Sequence, residues 1–376
     1  MESQLDKPYV VLSRSYDCRF WSWTEHIQGL QKCFIQEKFI TANEWREEEI
    51  ISQFQSSTPH SSEVLLHHLE VEKRSAGNPL LLVHGASHDA NLSWGESLDK
   101  KKGLIHALKT CDRPIYAVTF AHPHGDNLLQ AVQLNNVIKR IQELTGGSKI
   151  DLIAHSKGGI SAWAYLAGLG KTWDADHEGQ VEKYIMLGTP NRGLDYPFRH
   201  VIPNWWVKLL NFNAPLSVDE MLWYGQYIDT TEHSLYKEGG AFPGLSQLLF
   251  RWDEHYPIQS AAQTLYYGGR NWLIHSRGIE TAMAESGNFM NKLLQSPIDR
   301  EIELHILAGN HSHIRGLCTE WDGPSDGLVF VDSVLYTDGL TEDDKQIKRK
   351  TVLPLNHLDL LYDRIAHEWV MEGLVQ

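Results

Sequence analysis

Hydrophobic and polar positions follow two rhythms along this chain, and the change between them marks its organisation. Leu80-Leu-Leu-Val83 and Tyr184-Ile-Met-Leu187 are continuous apolar runs, the pattern of strands covered on both faces. Ile115 to Phe120 reads as another strand, and a short run at Ile150, Leu152 and Ile153 as a fourth. Helical patterns separate them: Glu96 to Lys109, an amphipathic stretch from about Leu128 to Leu144 capped by Gly146-Gly147, and Ile160, Trp163, Ala164 and Ala167. Strands spaced by helices of this length predict an α/β fold with a mostly parallel, doubly wound sheet. Val64 to Val71 alternates in part and predicts an outer antiparallel strand.

Two stretches fall outside that rhythm. In residues 1–62, Trp21, Trp23, Ile27, Leu30, Phe34 and Ile35 are spaced like one helix face, and Trp45, Ile50, Ile51 and Phe54 like a second. A helical N-terminal extension packed on the main domain is expected there, with a share in an entrance or an oligomer contact as the alternative. From 195 to 297 the chain is rich in aromatics, among them Trp205, Trp206, Trp223 and Trp252. Short helical pieces fit Trp205 to Leu210 and Gly244 to Trp252, and strand-like alternation is confined to Gln263 to Tyr267. Such an insertion predicts a helical, aromatic-rich cap or lid over a pocket, and an aromatic core of its own is compatible with the same pattern. The α/β rhythm returns at Glu303 to Ala308, Gly323 to Phe330 and Thr351 to Leu360, and a closing helix runs through Ile365, Trp369 and Val370. The charged stretch Thr341 to Lys350 reads as a solvated loop. The division expected is an extension at 1–62, core at 63–194, insertion at 195–297 and core again at 298–376.

At Ala154-His-Ser-Lys-Gly-Gly159 a strand pattern passes through one tight turn into a helix pattern. A serine at the centre of such a turn is lifted clear of the sheet, and small neighbours are needed because strand and helix backbones pass close by. Gly158 meets that need two residues after Ser156, and Ala154 stands two before it where the plain pattern has glycine. A serine hydroxyl requires a general base and an acid that orients the base. Downstream, Asp326 lies in Pro324-Ser-Asp-Gly-Leu-Val329 and His357 in Pro354-Leu-Asn-His-Leu-Asp359. Asp322, Asp332 and Asp338 are rivals for the acid, and His311, His313 and His367 for the base. His155, next to the serine, is expected to support the elbow or the entrance.

Bulk properties narrow the partners. A formal charge of −14 with no long basic run argues against nucleic acid and anionic membrane surfaces. Cys18, Cys33, Cys111 and Cys318 are far apart and show no zinc or dithiol spacing. No apolar run is long enough to span a membrane. The N-terminus has no apolar signal core, so the cytoplasm is the expectation, although a mature chain with its signal removed would look similar.

Together, Val83-His-Gly-Ala86, Ala154-His-Ser-Lys-Gly158, Gly188-Thr-Pro190, Ser325-Asp-Gly-Leu-Val329 and Asn356-His-Leu-Asp359 resemble the α/β-hydrolase superfamily, and within it bacterial lipases and esterases. The resemblance covers roughly residues 78–195 and 300–370. It implies the α/β-hydrolase fold, Ser156 as nucleophile, His357 as base and Asp326 as the orienting acid. It also implies an oxyanion hole made by the backbone N–H groups of Ala86 and Lys157. Asp359 matches a position where some of these lipases bind calcium, and a helix N-cap explains it equally well; no cofactor or metal is expected. The function expected is hydrolysis of a small-molecule or lipid-like carboxylic ester through an acyl-enzyme. Trp205, Trp206, Trp223 and Trp252 are the candidate contacts to a hydrophobic acyl or alcohol group. The alternative is acyl transfer on the same triad, as in a transesterase, thioesterase or cyclase. A non-catalytic binding protein on this scaffold would not need all three triad residue types. The pattern leaves the oligomeric state open.

Overall fold

Among the described residues, nine strands lie in one sheet in the order β1-β2-β3-β5-β4-β6-β7-β10-β11. They are β1 (Tyr9–Ser15), β2 (Trp23–Gly29), β3 (Glu63–Leu69), β4 (Leu80–Val83), β5 (Ile115–Phe120), β6 (Ile150–His155), β7 (Val181–Leu187), β10 (Glu303–Gly309) and β11 (Ile347–Leu353). A separate two-stranded ribbon pairs β8 (Gly269–Arg270) with β9 (His275–Ser276). From β5 to β11 neighbouring strands are parallel, whereas β1, β2 and β3 run antiparallel to one another and β3 is antiparallel to β5. The computed structural model describes all residues except 1–6, 42, 72–76, 148, 201–238, 272–274, 316–318 and 376.

The apolar runs are explained by burial on both faces. Along β4, Leu81 and Val83 face the cluster that contains Ile138, Ile141, Ile160 and Trp163, while Leu80 and Leu82 face the cluster with Trp94, Ile105, Trp369 and Val370. Short helices α1 (Glu48–Phe54) and α2 (Ile105–Leu108) precede the two long central ones, α3 (Asn127–Thr145) and α4 (Lys157–Leu166). The first face of the sheet is covered by α3 and α4, and the second by α2 and the closing helix Arg364–Val375. Helix α3 starts where the Asp126 carboxylate accepts from the backbone N–H groups of Leu128 and Leu129. It stops at Gly146, whose φ of 79° is open to glycine at little steric cost. Among the described residues, no helix is long and apolar enough to cross a membrane.

Four expectations are corrected. The N-terminal segment is not a helical extension: its described residues contribute β1 and β2 to the sheet and one helix, α1. The helix-like spacing of Trp23 and Ile27 misleads because β2 buries Thr24, Glu25 and His26 as well, each with a polar partner. Glu25 accepts from Arg14 at 2.6 Å and from Arg140 of α3 at 2.8 Å, so pairing with distant cations sets this strand. Residues Gln263–Tyr267 form a helical turn, not a strand, with Leu265 and Tyr266 buried on one side. The charged stretch expected as a loop instead ends in β11, an edge strand whose Lys348 and Lys350 point to solvent. At Gly323 to Phe330 no strand forms; only a bridge between Ser325 and Phe330 closes the turn.

The strand order reverses across β4, with β5 on one side and β6 on the other. That is the switch point at which the loops leaving the C-terminal strand ends separate and open a crevice. The loops that leave it are His84-Gly85-Ala86 after β4 and Ser156 after β6.

Candidate active site

Ser156 occupies the turn between β6 and α4 with φ 53° and ψ −131°. A left-handed φ on a non-glycine residue is costly and persists only where the surroundings fix it. Here the Ser156 N–H donates to the Leu187 carbonyl at 2.9 Å, and the Ser156 carbonyl accepts from Gly159 N–H at 2.9 Å. Space is equally restrictive. A Cβ on Gly158 would lie 2.2 Å from the His84 carbonyl oxygen, and one on Gly159 would lie 2.1 Å from Thr189 Oγ1. The elbow therefore needs glycine at both positions for close approach, whereas Ala154 fits within β6 without penalty.

Two loops bring the remaining partners to the serine. Asp326 is fully buried, and its Oδ1 accepts from the N–H groups of Leu328 and Val329 at 3.0 and 2.9 Å. Its Oδ2 lies 2.6 Å from His357 Nδ1, and its carbonyl accepts from His357 N–H at 2.8 Å. The ring is thus held by side chain and backbone together. With the His357 proton on Nδ1 facing the carboxylate, Nε2 is left to accept from Ser156 Oγ at 2.8 Å. Gly188, at φ 59°, lies against this pair: a Cβ there would meet Nδ1 of His357 at 3.1 Å and Oδ2 of Asp326 at 3.2 Å.

The rivals are engaged elsewhere. Asp322 accepts from Arg199 and Gln259, and Asp332 accepts from the Tyr256 hydroxyl. Asp338 forms a bridge with Thr341. The exposed His311 and His313 flank the loop outside the triad contacts, and His367 Nε2 donates to the Leu361 carbonyl. His155 has a definite place: its Nε2 donates to the His357 carbonyl at 3.0 Å and its ring centroid is 4.7 Å from that of His357. Burial holds its pKa well below the ordinary histidine value, so it acts as a neutral prop under the His357 loop.

The loop after β4 lies directly against the serine. A Cβ on Gly85 would fall 2.9 Å from Ser156 Cβ. His84 shapes this loop: Nδ1 donates to the Gly85 carbonyl at 2.7 Å, and Nε2 accepts from Phe120 N–H at 3.1 Å. That tautomer is neutral, in keeping with a pKa pushed down to about 3 by burial. Ala86 follows, and Lys157 stands in the first turn of α4, where backbone N–H groups lack intrahelical acceptors.

The Lys157 side chain was not foreseen as special. It is 1% exposed, and Nζ donates to Gln130 Oε1 at 2.5 Å, an acceptor it shares with Ser161 Oγ. Burial pushes its pKa down to about 7, with the carboxyl groups of Glu37 and Asp126 opposing that shift. Glu37 in turn is pushed up to about 7 by burial. The available sequence signal was position: the residue after an elbow serine starts a helix that packs inward, so a lysine there is a buried lysine.

Trp252 is 1% exposed and packs against Phe330 and Tyr256, in a core rather than on a cavity wall. Trp205, Trp206 and Trp223 lie outside the described residues. Asp359 accepts from the Lys101 ammonium at 2.7 Å and from Asn356 Nδ2 at 2.7 Å, so a cation already neighbours it. His200, Glu320 and Asp322 bring three potential ligand atoms within 4.8 Å of one another. The buried Arg199 guanidinium lies among these carboxylates, 3.3 Å from Asp322 and 3.6 Å from Glu320, and supplies the positive charge a metal would bring.

Residues 77–196, about a third of the chain, match the model of the class 2 lipase family. Among solved structures the chain is similar to the lipase BlEst2 of Bacillus licheniformis in its propeptide form. The identity is 15% and the TM-score 0.48, over 83% of this chain and 53% of that one, so this chain spans about half of that chain's length. The mature form of the same lipase gives 17% identity and a TM-score of 0.45, over 82% and 97% of the two chains. An esterase from Exiguobacterium antarcticum gives 14% and 0.43, over 84% and 96%.

Proposed function

We propose that this chain, which has the α/β-hydrolase fold and resembles bacterial lipases and esterases, is a serine carboxyl-ester hydrolase working through an acyl-enzyme. The observation that carries the proposal is the continuous chain of contacts from Ser156 Oγ to His357 Nε2 at 2.8 Å, and from His357 Nδ1 to Asp326 Oδ2 at 2.6 Å.

In this mechanism Ser156 Oγ attacks the ester carbonyl carbon while His357 Nε2 takes its proton. Asp326 fixes the ring tautomer and stabilises the imidazolium that forms. Charge on the former carbonyl oxygen is met by the backbone N–H groups of Ala86 and Lys157, donors that need no reorganisation at the moment of reaction. His357 then passes its proton to the departing alkoxide. In the second half, water gives a proton to the same nitrogen as it attacks the acyl carbon; the acyl–Oγ bond then breaks, His357 returns the proton to Ser156 Oγ and the acid is released. The strained φ of Ser156 supports this role, since strain is retained where it aims a reacting atom.

The test is hydrolysis of p-nitrophenyl esters of increasing acyl length by the wild type and Ser156→Ala, with a fluorophosphonate serine probe alongside. Turnover and labelling in the wild type, both lost in the variant, are expected. Equal rates in the two proteins, or no turnover and no labelling of Ser156, would overturn the proposal.

A further inference from the structure

A cavity of about 600 Å³ opens beside the loop that carries Ala86. That volume lies within the range of small-molecule sites. Its wall combines five stretches of chain: Ser87 to Leu92 just beyond Ala86, Glu96 to Lys100, the N-terminal pieces Arg19 to Phe20 and Asn43 to Glu47, and Pro123 to His124. Ser87 turns the loop into the cavity with φ 62°, and its hydroxyl meets His124 Nε2 at 3.1 Å. The segment is fixed to the sheet by the Trp45 indole, which donates to the Ala121 carbonyl at 2.8 Å.

The wall carries many charges, and several of them are paired within it, while Glu44 and Arg46 add one of each sign. Glu96 is paired with Arg19 at 2.8 Å and with Lys100 at 2.9 Å. Glu47 accepts from Asn91 Nδ2 at 3.2 Å, and Asp89 accepts from Leu92 N–H at 2.8 Å. Burial, then the Glu47 charge, pushes the Asp89 carboxyl up to about 8, and the proton it keeps at neutral pH is held between it and Glu47, so the two together carry one negative charge. Phe20 and Trp45 supply apolar surface between these groups. An aliphatic tail placed here would strip water from carboxylates, a hydroxyl and a guanidinium without replacing their hydrogen bonds. An ionic group of either sign would meet groups of its own sign. A neutral group with several hydroxyls uses donors and acceptors together and disturbs no ion pair.

We propose that this cavity is the specificity subsite of the ester reaction and that it takes a neutral, hydroxyl-rich part of the substrate. The inference rests on the hydrolase function proposed for the triad and departs from the hydrophobic substrate that the aromatic insertion suggested. The same chemistry can enter from the alcohol or from the acyl side of the ester, and the two arms of the experiment separate them.

In the alcohol arm the full chain hydrolyses glycerol 1-butyrate against propyl butyrate. In the acyl arm it hydrolyses methyl gluconate against methyl hexanoate. The readout is the ratio of kcat/KM, hydroxylated over plain, which does not depend on how much of a variant is folded. We expect a ratio of about ten or more in one arm, the gain from a hydrogen bond to a charged group. Glu44→Trp, which fills the cavity, and Glu47→Gln, which removes a charge at constant shape, should each bring that ratio towards one. Wild-type ratios at or below one in both arms overturn the subsite while leaving the hydrolase function intact. So does a ratio that neither variant changes. If the wild type turns over no ester, p-nitrophenyl acetate included, the hydrolase function and the subsite fall together.

Discussion

Replacing Lys157 by methionine keeps an unbranched side chain, one atom shorter, and removes its charge from the core. In the folded chain the ammonium sits behind the elbow with its pKa near 7, against an ordinary value of 10.5. Between those two pH values the unfolded chain holds a proton that the folded chain has released, so stability rises with pH across the window. A shift of this size corresponds to at most about 5 kcal/mol, at about 1.4 kcal/mol per pH unit. Glu37 acts in the opposite sense below it. Its pKa is raised from 4.5 to about 7, so the folded chain keeps a proton there that the unfolded chain gives up, and stability falls from pH 4.5 to 7. Asp126, also raised by burial, adds to that fall, and the neighbouring histidines His84, His122 and His124 are held neutral near pH 7. Lys157→Met abolishes the rise above pH 7 and leaves Gln130 Oε1 with Ser161 as its remaining side-chain donor. The assay is a set of melting curves for both proteins at unit steps from pH 6 to 10. Measured against the variant, the wild type should gain stability from pH 7 to 10, by up to about 6 °C in Tm for a chain of this length. Parallel curves for the two proteins over that range would refute the reasoning, because a solvated amine would titrate identically in both states.

Three further outcomes are expected. Asp326→Asn presents an amide N–H to His357 Nδ1, drives the ring proton to the nitrogen that faces Ser156, and should lower kcat about 10⁴-fold without changing the melting temperature greatly. Gly158→Ala sets a methyl 2.2 Å from a backbone carbonyl and should cost more than the ~1–3 kcal/mol usual for overpacking, seen as a lowered Tm together with lost labelling of Ser156 by a serine probe. Acid should destabilise the chain below pH 6.5 despite the opposite pull of Glu37, Asp89 and Asp126, because buried His67, His84 and His122, pushed down to about 3, and His88, pushed down to about 4, refuse protons that the unfolded chain binds and outnumber those carboxyls. Circular dichroism melts from pH 7 to 4.5 check this, and a Tm that rises on acidification contradicts it.

The central part of the fold was legible because its strands are buried on both faces, and a continuous apolar run as short as Leu80 to Val83 suits little besides such a strand. The serine turn was legible for a related reason: its small residues answer contacts within a few positions or with the adjacent loop. The N-terminal strands were not, since β2 buries Glu25 and His26 against partners in β1, β3 and α3 that no local pattern announces. β11 was hidden by the opposite effect. As an edge strand it turns lysines to solvent on one side, and that alternation looks like a charged loop. Of the candidate site, Ser156, Asp326 and His357 were named by residue type, order and resemblance. The supporting groups, His84, His155 and the Lys157–Gln130 contact, depend on which atoms meet after folding. The cavity beside Ser87 was invisible for the same reason, because the segment that walls it was expected to be a helical extension.

The two margins of the sheet have a consequence for self-association. An unpaired strand edge offers a row of N–H and C=O groups to another molecule. At one margin β1 leaves Val10 and Val11 39% exposed and Leu12 50% exposed, and its register slips between Val11 and Ser13. That bulge breaks the regular ladder a second chain would need. At the other margin β11 slips register as well, because Leu304 and His305 pair with Ile347 and Arg349 and leave Lys348 as the extra residue, and its outward Lys348 and Lys350 add like charges along that edge. The first guard is geometric, and the second is geometric and electrostatic together. Raising the ionic strength screens the lysines and leaves both bulges untouched, so concentrated salt alone should open neither margin to pairing.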